Sequence, residues 1–226
     1  MRRLSLRKFI SSGVRRVLKG KPVVKPPAGD SYYGERACGY TEARVNQAHW
    51  PIEQKSVKRF LNQLPDNLSV LDVPCGTGRF FSLFTEKNGS IVGLDRSIDM
   101  IRAARSEVPE DSQPCGYIIS DCRQLPFPNE AFDLVLCFRF LGSVVPLDHA
   151  RLMLAELLRV TRTWVILELK YRHSDSKSGV GTTMKHLLDK PALEELLKEQ
   201  SLKIVEEEVV FERPSHSCLS VLCRKI

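Results

Sequence analysis

Residues 70–80 read Val-Leu-Asp-Val-Pro-Cys-Gly-Thr-Gly-Arg-Phe. An apolar run ends in an acid, Asp72, and two glycines, Gly76 and Gly78, follow one residue apart. Glycine in such a turn lets backbone approach a ligand with no Cβ in the way. Pro74 stands where a further glycine would be expected. It has no N–H and a fixed φ, so it serves only if that position donates nothing and needs no positive φ. Two nucleotide fingerprints fail here. Phe81 occupies the third glycine position of G-x-G-x-x-G, and no G-K-[ST] completes a P-loop.

Outward from this loop the chain alternates strand and helix. Strands are expected at 68–73, 90–94, 116–120, 132–138 and 164–169, each a short apolar run bounded by turn residues. Helices are expected at 52–64, 79–87, 97–107, with Ser97 as cap, 147–160 and 191–200, the last with proline in its first turn. Residues 202–211 and 218–223 are two final strands with no helix between them, so they should pair antiparallel. The pattern predicts an α/β fold: a Rossmann-like, doubly wound, seven-stranded sheet, mostly parallel with an antiparallel last strand. In such sheets ligands bind at the carboxyl ends of the strands. Asp72, Asp95 and Asp121 each stand at that end of their strand.

The loop resembles the first motif of class I S-adenosylmethionine-dependent methyltransferases, an apolar strand and an acid followed by G-x-G-x-G, with Pro74 replacing the first glycine. The resemblance continues through Val92-Gly-Leu-Asp95, through Asp121-Cys-Arg-Gln-Leu-Pro-Phe127 and Phe132-Asp-Leu-Val, and through Glu156-Leu-Leu-Arg-Val160. It spans about 52–224, and its nearest branch is similar to the ubiquinone/menaquinone-biosynthesis methyltransferases. Thr161-Arg-Thr163 departs from the Gly-Gly turn common before strand five.

The resemblance implies S-adenosylmethionine as cofactor. Gly76 and Gly78, with Cys75 and Thr77, would face its amino-acid end, and Asp72 would accept from the ammonium or orient the loop. Asp95, with Arg96 beside it, would accept from both ribose hydroxyls. Asp121 would take the adenine amino group and the Cys122 amide a ring nitrogen, with Met100 and Phe138 sandwiching the adenine. Methyl transfer is an in-line displacement helped mainly by alignment, and it needs a general base only when the acceptor loses a proton. No catalytic residue is therefore assigned. The acceptor site is expected along the segment after strand four, a lid at about 171–186 and residues 31–50, with Tyr40, His49, Arg139, Tyr171 and His173 as candidates. A small-molecule or lipid-linked acceptor is expected. A methyltransferase-like module that binds cofactor or a protein without turnover is the alternative.

Composition limits the partners. The net charge is +7, yet residues 1–29 hold nine Lys/Arg and no acid, leaving 25 basic and 27 acidic residues for 30–226. The body thus lacks the charge of a nucleic-acid binder, and no Asp/Asn-Pro-Pro-Tyr follows strand four. The N-terminal segment places Leu6, Ile10, Val14 and Leu18 on one helical stripe flanked by Arg and Lys. It reads as a helix lying on an anionic membrane surface, as a mitochondrial presequence or as a loosely ordered basic extension, joined by a Pro-rich linker to a domain at 30–226 with a helical cap. Seven cysteines form no C-x-x-C pair and suggest neither a metal site nor disulfides, which fits a cytoplasmic protein, peripheral at a membrane if the tail binds lipid.

Overall fold

A computed structural model describes residues 32–34, 37, 39–112, 114, 116–141, 147–173 and 187–226. The elements run α1 (Glu42–Val45), α2 (His49–Leu61), β1 (Ser69–Asp72), α3 (Phe81–Thr85), β2 (Ser90–Asp95), α4 (Ile98–Glu107) and β3 (Gly116–Ile119). They continue with β4 (Phe132–Cys137), α5 (Leu147–Val160), β5 (Thr161–Arg172), α6 (Lys190–Glu199), β6 (Leu202–Arg213) and β7 (His216–Lys225). The seven strands form one sheet in the order β3-β2-β1-β4-β5-β7-β6. Neighbours from β3 to β5 pair parallel, and β7 runs antiparallel to both β5 and β6. This is the expected α/β architecture with its single antiparallel strand.

Side-chain alternation along each strand sends successive residues to opposite cores. Leu71, Val92 and Val135 join Leu154 and Leu157 of α5 on one face, with Leu193 and Leu197 of α6. Val70, Ile91, Leu134 and Leu136 join Val57 and Phe60 of α2 and Phe81 and Phe84 of α3 on the other. Both faces of the central strands are covered, which is why Phe132–Cys137 is almost continuously apolar. Ser97 caps α4 by accepting the Met100 amide at 3.2 Å, and Asp189 caps α6 by accepting the Ala192 amide at 3.0 Å.

The boundaries differ at several elements, three of them beside the loop and the acceptor side. The helix expected at 79–87 is only Phe81–Thr85, because Gly78 and the residues before it are still building the loop. The helix expected at 52–64 starts earlier, at His49. Strand five runs to Arg172, because nine residues of β5 pair with β7. Tyr171 and Arg172 therefore belong to the sheet and not to a lid. The remainder of the lid, 174–186, lies outside the described residues, as does the basic N-terminal extension. Among the described residues no helix is long and apolar enough to cross a membrane.

Candidate functional site

The loop after β1 is held from two sides. The Val73 amide donates to the Leu136 carbonyl of β4 at 2.9 Å, and the Cys75 amide to Leu94 of β2 at 2.8 Å. Pro74, preceded by a cis peptide, sits between these donors. Gly76 and Gly78 have φ of +54° and +73°, a region costly to residues with a Cβ. A Cβ on Gly76 would meet nothing within 4 Å, whereas one on Gly78 would stand 2.8 Å from both Phe81 and Val108. Gly76 thus opens onto space, and Gly78 lets the loop pack on α3.

The strand-end acids differ in their duties. Asp95 accepts the Gly76 amide on Oδ2 at 3.0 Å and the Ser97 amide on Oδ1 at 2.8 Å. A carboxylate has about four lone-pair positions, so it can accept from more donors than these two amides. Asp121 is held by Arg123, whose Nη2 donates to Oδ2 at 2.6 Å and whose backbone amide donates to Oδ1 at 2.9 Å. The Arg123 side chain holds the Asp121 carboxyl below its ordinary range against the effect of burial, with Arg96 contributing. The Cys122 thiol beside it is pushed up to about 12 by burial. Met100 is buried on α4. Phe138 packs edge-on against Phe80, ring centroids 4.9 Å apart, within the apolar core on the α2 side.

Asp72 is buried, and no hydrogen bond reaches its Oδ2. Burial pushes its carboxyl well above the ordinary range, opposed by the charge of Arg79. Arg79 follows the loop directly. Its guanidinium lies over Trp50 and Phe80, 4.3 and 4.2 Å from the ring centroids, with Nη1 2.5 Å from Glu53 Oε2. Nη2 is buried without a hydrogen-bond partner. Arg139 reaches the same carboxylate, its Nε 3.1 Å from both oxygens, and donates to Gln47 Oε1 at 3.3 Å. Its φ of +54° turns the side chain back from the end of β4 toward α2. One carboxylate, 1% exposed, therefore serves two guanidiniums.

Glu53 escaped the sequence reading. The signal was present, since Glu53, Val57 and Phe60 share a helix face and an acid on an otherwise apolar face implies a buried partner. Arg79 was missed because nothing in its spacing distinguishes it from a solvated arginine.

The chain before α2 crosses this end of the sheet. The Tyr32 carbonyl accepts from Ser97 Oγ at 2.6 Å, and Thr41 Oγ1 lies 2.9 Å from Thr77 Oγ1 and donates to Glu107 at 2.6 Å. Tyr40 packs edge-on against Tyr32, centroids 5.2 Å apart, and lies within electrostatic reach of Arg79 and Arg139. A cavity of about 540 Å³ is bounded by Thr41, Thr77, Gly78, Arg79 and Glu107.

The five acceptor-side candidates separate into two groups. Tyr40, His49 and Arg139 gather around Glu53 and Trp50. Tyr171 packs against the core on the α5/α6 face, with the His173 ring 5.8 Å from its own. His173 Nε2 is 2.8 Å from Ser217 Oγ. The odd-numbered residues of β5 face α5 and α6 and the even-numbered ones face α2, so this pair is not brought to Arg139.

Residues 70–163 match a sequence profile described as a methyltransferase domain. A malonyl-[acyl-carrier protein] O-methyltransferase of Hamiltonella defensa is 26% identical over 177 residues, covering 75% of this chain and 64% of the relative. A ubiquinone/menaquinone biosynthesis C-methyltransferase of Methylococcus capsulatus is 28% identical over 111 residues, covering 47% and 45%. The matched part of the chain thus spans less than two thirds of these relatives. The crystal structure of magnesium protoporphyrin IX methyltransferase from Synechocystis, with bound S-adenosylmethionine, superposes with a TM-score of 0.62 at 16% identity, covering 96% of this chain and 93% of that one. That likeness is one of fold. Residues 70–163 are thus similar to the methyltransferase domain family, and they lie on the seven-stranded α/β sheet that the loop motif led us to expect.

Proposed function

We propose that the protein is an S-adenosylmethionine-dependent methyltransferase acting on a small-molecule or lipid-linked acceptor. The observation that carries this reading is a pair of complementary orphans beside the glycine loop. Asp72 Oδ2 and Arg79 Nη2 are both buried and both lack a hydrogen-bond partner. Leaving a buried polar group unsatisfied costs about 1–3 kcal/mol, more when it is charged. No ion pair within 4 Å joins the two, yet each influences the site electrostatically. An amino-acid zwitterion satisfies both, its ammonium on Asp72 and its carboxylate on Arg79, with the space above Gly76 admitting its backbone.

The remaining residues fit the rest of the cofactor. The Asp95 carboxylate is the acceptor for a ribose diol, and Asp121 with the Cys122 amide meets the adenine edge. Part of the Arg123 grip on Asp121 would yield to the adenine amino group. Arg96 stays near Asp121, and Met100 lines the adenine side. Phe138 supports Phe80 beneath the loop instead of stacking on the base. The bound cofactor supplies a methyl group already activated on a sulfonium. The chain's work is to bind, align and exclude water. The names of the relatives, which include an O-methyltransferase and a C-methyltransferase, support the reaction class and leave the acceptor open.

Calorimetry with S-adenosylmethionine and S-adenosylhomocysteine tests the reading. Micromolar binding is expected, and no binding at high micromolar concentration would sink it. A cell extract supplied with methyl-labelled cofactor, followed by mass spectrometry, then identifies the product.

A further inference from the structure

Glu53 and the two arginines it pairs lie under the first turns of α2, and His49 opens that helix. Its ring is partly exposed and packs on Phe211 of β6, centroids 5.5 Å apart. Lys170 Nζ approaches the same phenylalanine ring, 5.7 Å from its centroid. Among the described residues no hydrogen bond occupies either imidazole nitrogen. By contrast, His173 pairs with Ser217 and His216 with the Ser215 hydroxyl at 3.0 Å. His49 is thus an imidazole with an available nitrogen, steadied by an aromatic wall, at the carboxyl end of the sheet and on the face that carries Arg79 and Arg139.

Resting on the methyltransferase reading, we infer that His49 is the general base of the reaction and that the methylated atom of the acceptor is the oxygen of a hydroxyl. The acceptor's O–H bond breaks and its proton passes to His49. The oxygen forms the bond to the methyl carbon, and the electron pair of the S–C bond leaves with sulfur as S-adenosylhomocysteine. A carboxylate acceptor would need no base, because it is already ionised near neutral pH.

The surroundings suit both halves of that step. The groups facing His49 are Arg139 beyond β4, Glu53 of the same helix, Lys170 of β5 and Arg79 beyond β1. Burial and then Arg139 lower the imidazole's pKa, with Glu53 opposing, so the ring is neutral and able to accept a proton at pH 7. The same cations favour an oxyanion developing beside them. The partly exposed Phe211 supplies apolar surface for the body of the acceptor, which points to an aromatic or lipid-like alcohol.

The test uses the full chain saturated with S-adenosylhomocysteine and 4-nitrophenol as the acidic-hydroxyl probe, whose anion is coloured. Calorimetry first establishes that S-adenosylhomocysteine binds. Failure there overturns the methyltransferase reading, and success isolates the test of His49. Imidazole NMR then follows the His49 titration with and without the probe, while absorbance reports the bound anion. The probe should raise the His49 midpoint by about one pH unit, a tenfold effect, by forming an imidazolium–phenolate pair. His49→Gln should bind the coloured anion about tenfold more weakly with S-adenosylhomocysteine affinity unchanged. An unmoved His49 midpoint, including through failure of the probe to bind, overturns the inference. Equal anion binding by His49→Gln, with the cations alone sufficing, does so too. If the variant fails to bind S-adenosylhomocysteine, the wild-type titration decides by itself.

Discussion

Oδ2 of Asp95 accepts the Gly76 amide at 3.0 Å, so the acid that ends β2 holds the loop that ends β1. The same carboxylate is the one we propose for the ribose diol. Asp95→Ala should weaken S-adenosylmethionine binding at least about 100-fold, because two hydrogen bonds to a charged acceptor are worth about 1.5–3 kcal/mol each. Asp95→Asn should also lose affinity, since its amide group cannot accept from both Gly76 and Ser97. Calorimetry measures both, and an unchanged affinity in Asp95→Ala would remove the ribose assignment.

Alanine at the two loop glycines should separate folding from binding. At Gly76 the added methyl meets no protein atom, so the variant should lose about 1–2 kcal/mol for its left-handed backbone and most of its cofactor affinity. At Gly78 the methyl collides with Phe81 and Val108 as well as adopting a φ of +73°. Overpacking typically adds about 1–3 kcal/mol, so Gly78→Ala should be the less stable of the two. Thermal unfolding and calorimetry on both variants check this. A Gly76→Ala variant that binds normally would mean that the open space is not the ligand's.

The fold was legible because periodicity is local. Val70 and Leu71 serve opposite faces of one strand, and the apolar run 132–137 announces a strand covered on both sides. The three strand-end acids were legible because parallel topology places them together whatever the side-chain detail. The charged cluster was not. Glu53, Arg79 and Arg139 lie far apart in sequence, and their association depends on a left-handed backbone at Arg139 and on stacking over Trp50. Tyr171 was misplaced because its strand outlasts the apolar run, β7 extending β5 by pairing alone.

Glu53→Gln should be strongly destabilising. It leaves Arg79 and Arg139 buried without their shared counter-charge, and breaking a buried ion pair from one side costs about 3–5 kcal/mol. Adding Arg139→Gln should restore part of the loss, because one uncompensated cation is removed. Urea unfolding of the two single variants and the double variant gives the coupling. Additive losses would show that the two residues do not share one network.

Asp72→Asn should gain stability and lose binding, with opposite consequences of the same buried carboxyl. The folded pKa of Asp72 lies above its unfolded value because burial disfavours the anion. Its favourable contribution is therefore complete below about pH 3.9 and is lost as pH rises through the folded value. Asparagine does not ionise, so the advantage of Asp72→Asn over wild type should grow with pH, to about 1–2 kcal/mol at pH 8, an estimate at the lower end for an unsatisfied buried group. The ligand series then assigns the role. S-Adenosylhomocysteine carries an ammonium and should bind Asp72→Asn at least about tenfold more weakly, one charge-assisted hydrogen bond being worth about 1.5–3 kcal/mol. 5′-Methylthioadenosine lacks the amino-acid end and should bind both proteins alike. Urea unfolding at pH 5 and pH 8, with calorimetry of the two nucleosides, measures both effects. Equal losses for the two ligands would place Asp72 in shaping the loop instead of meeting the ammonium.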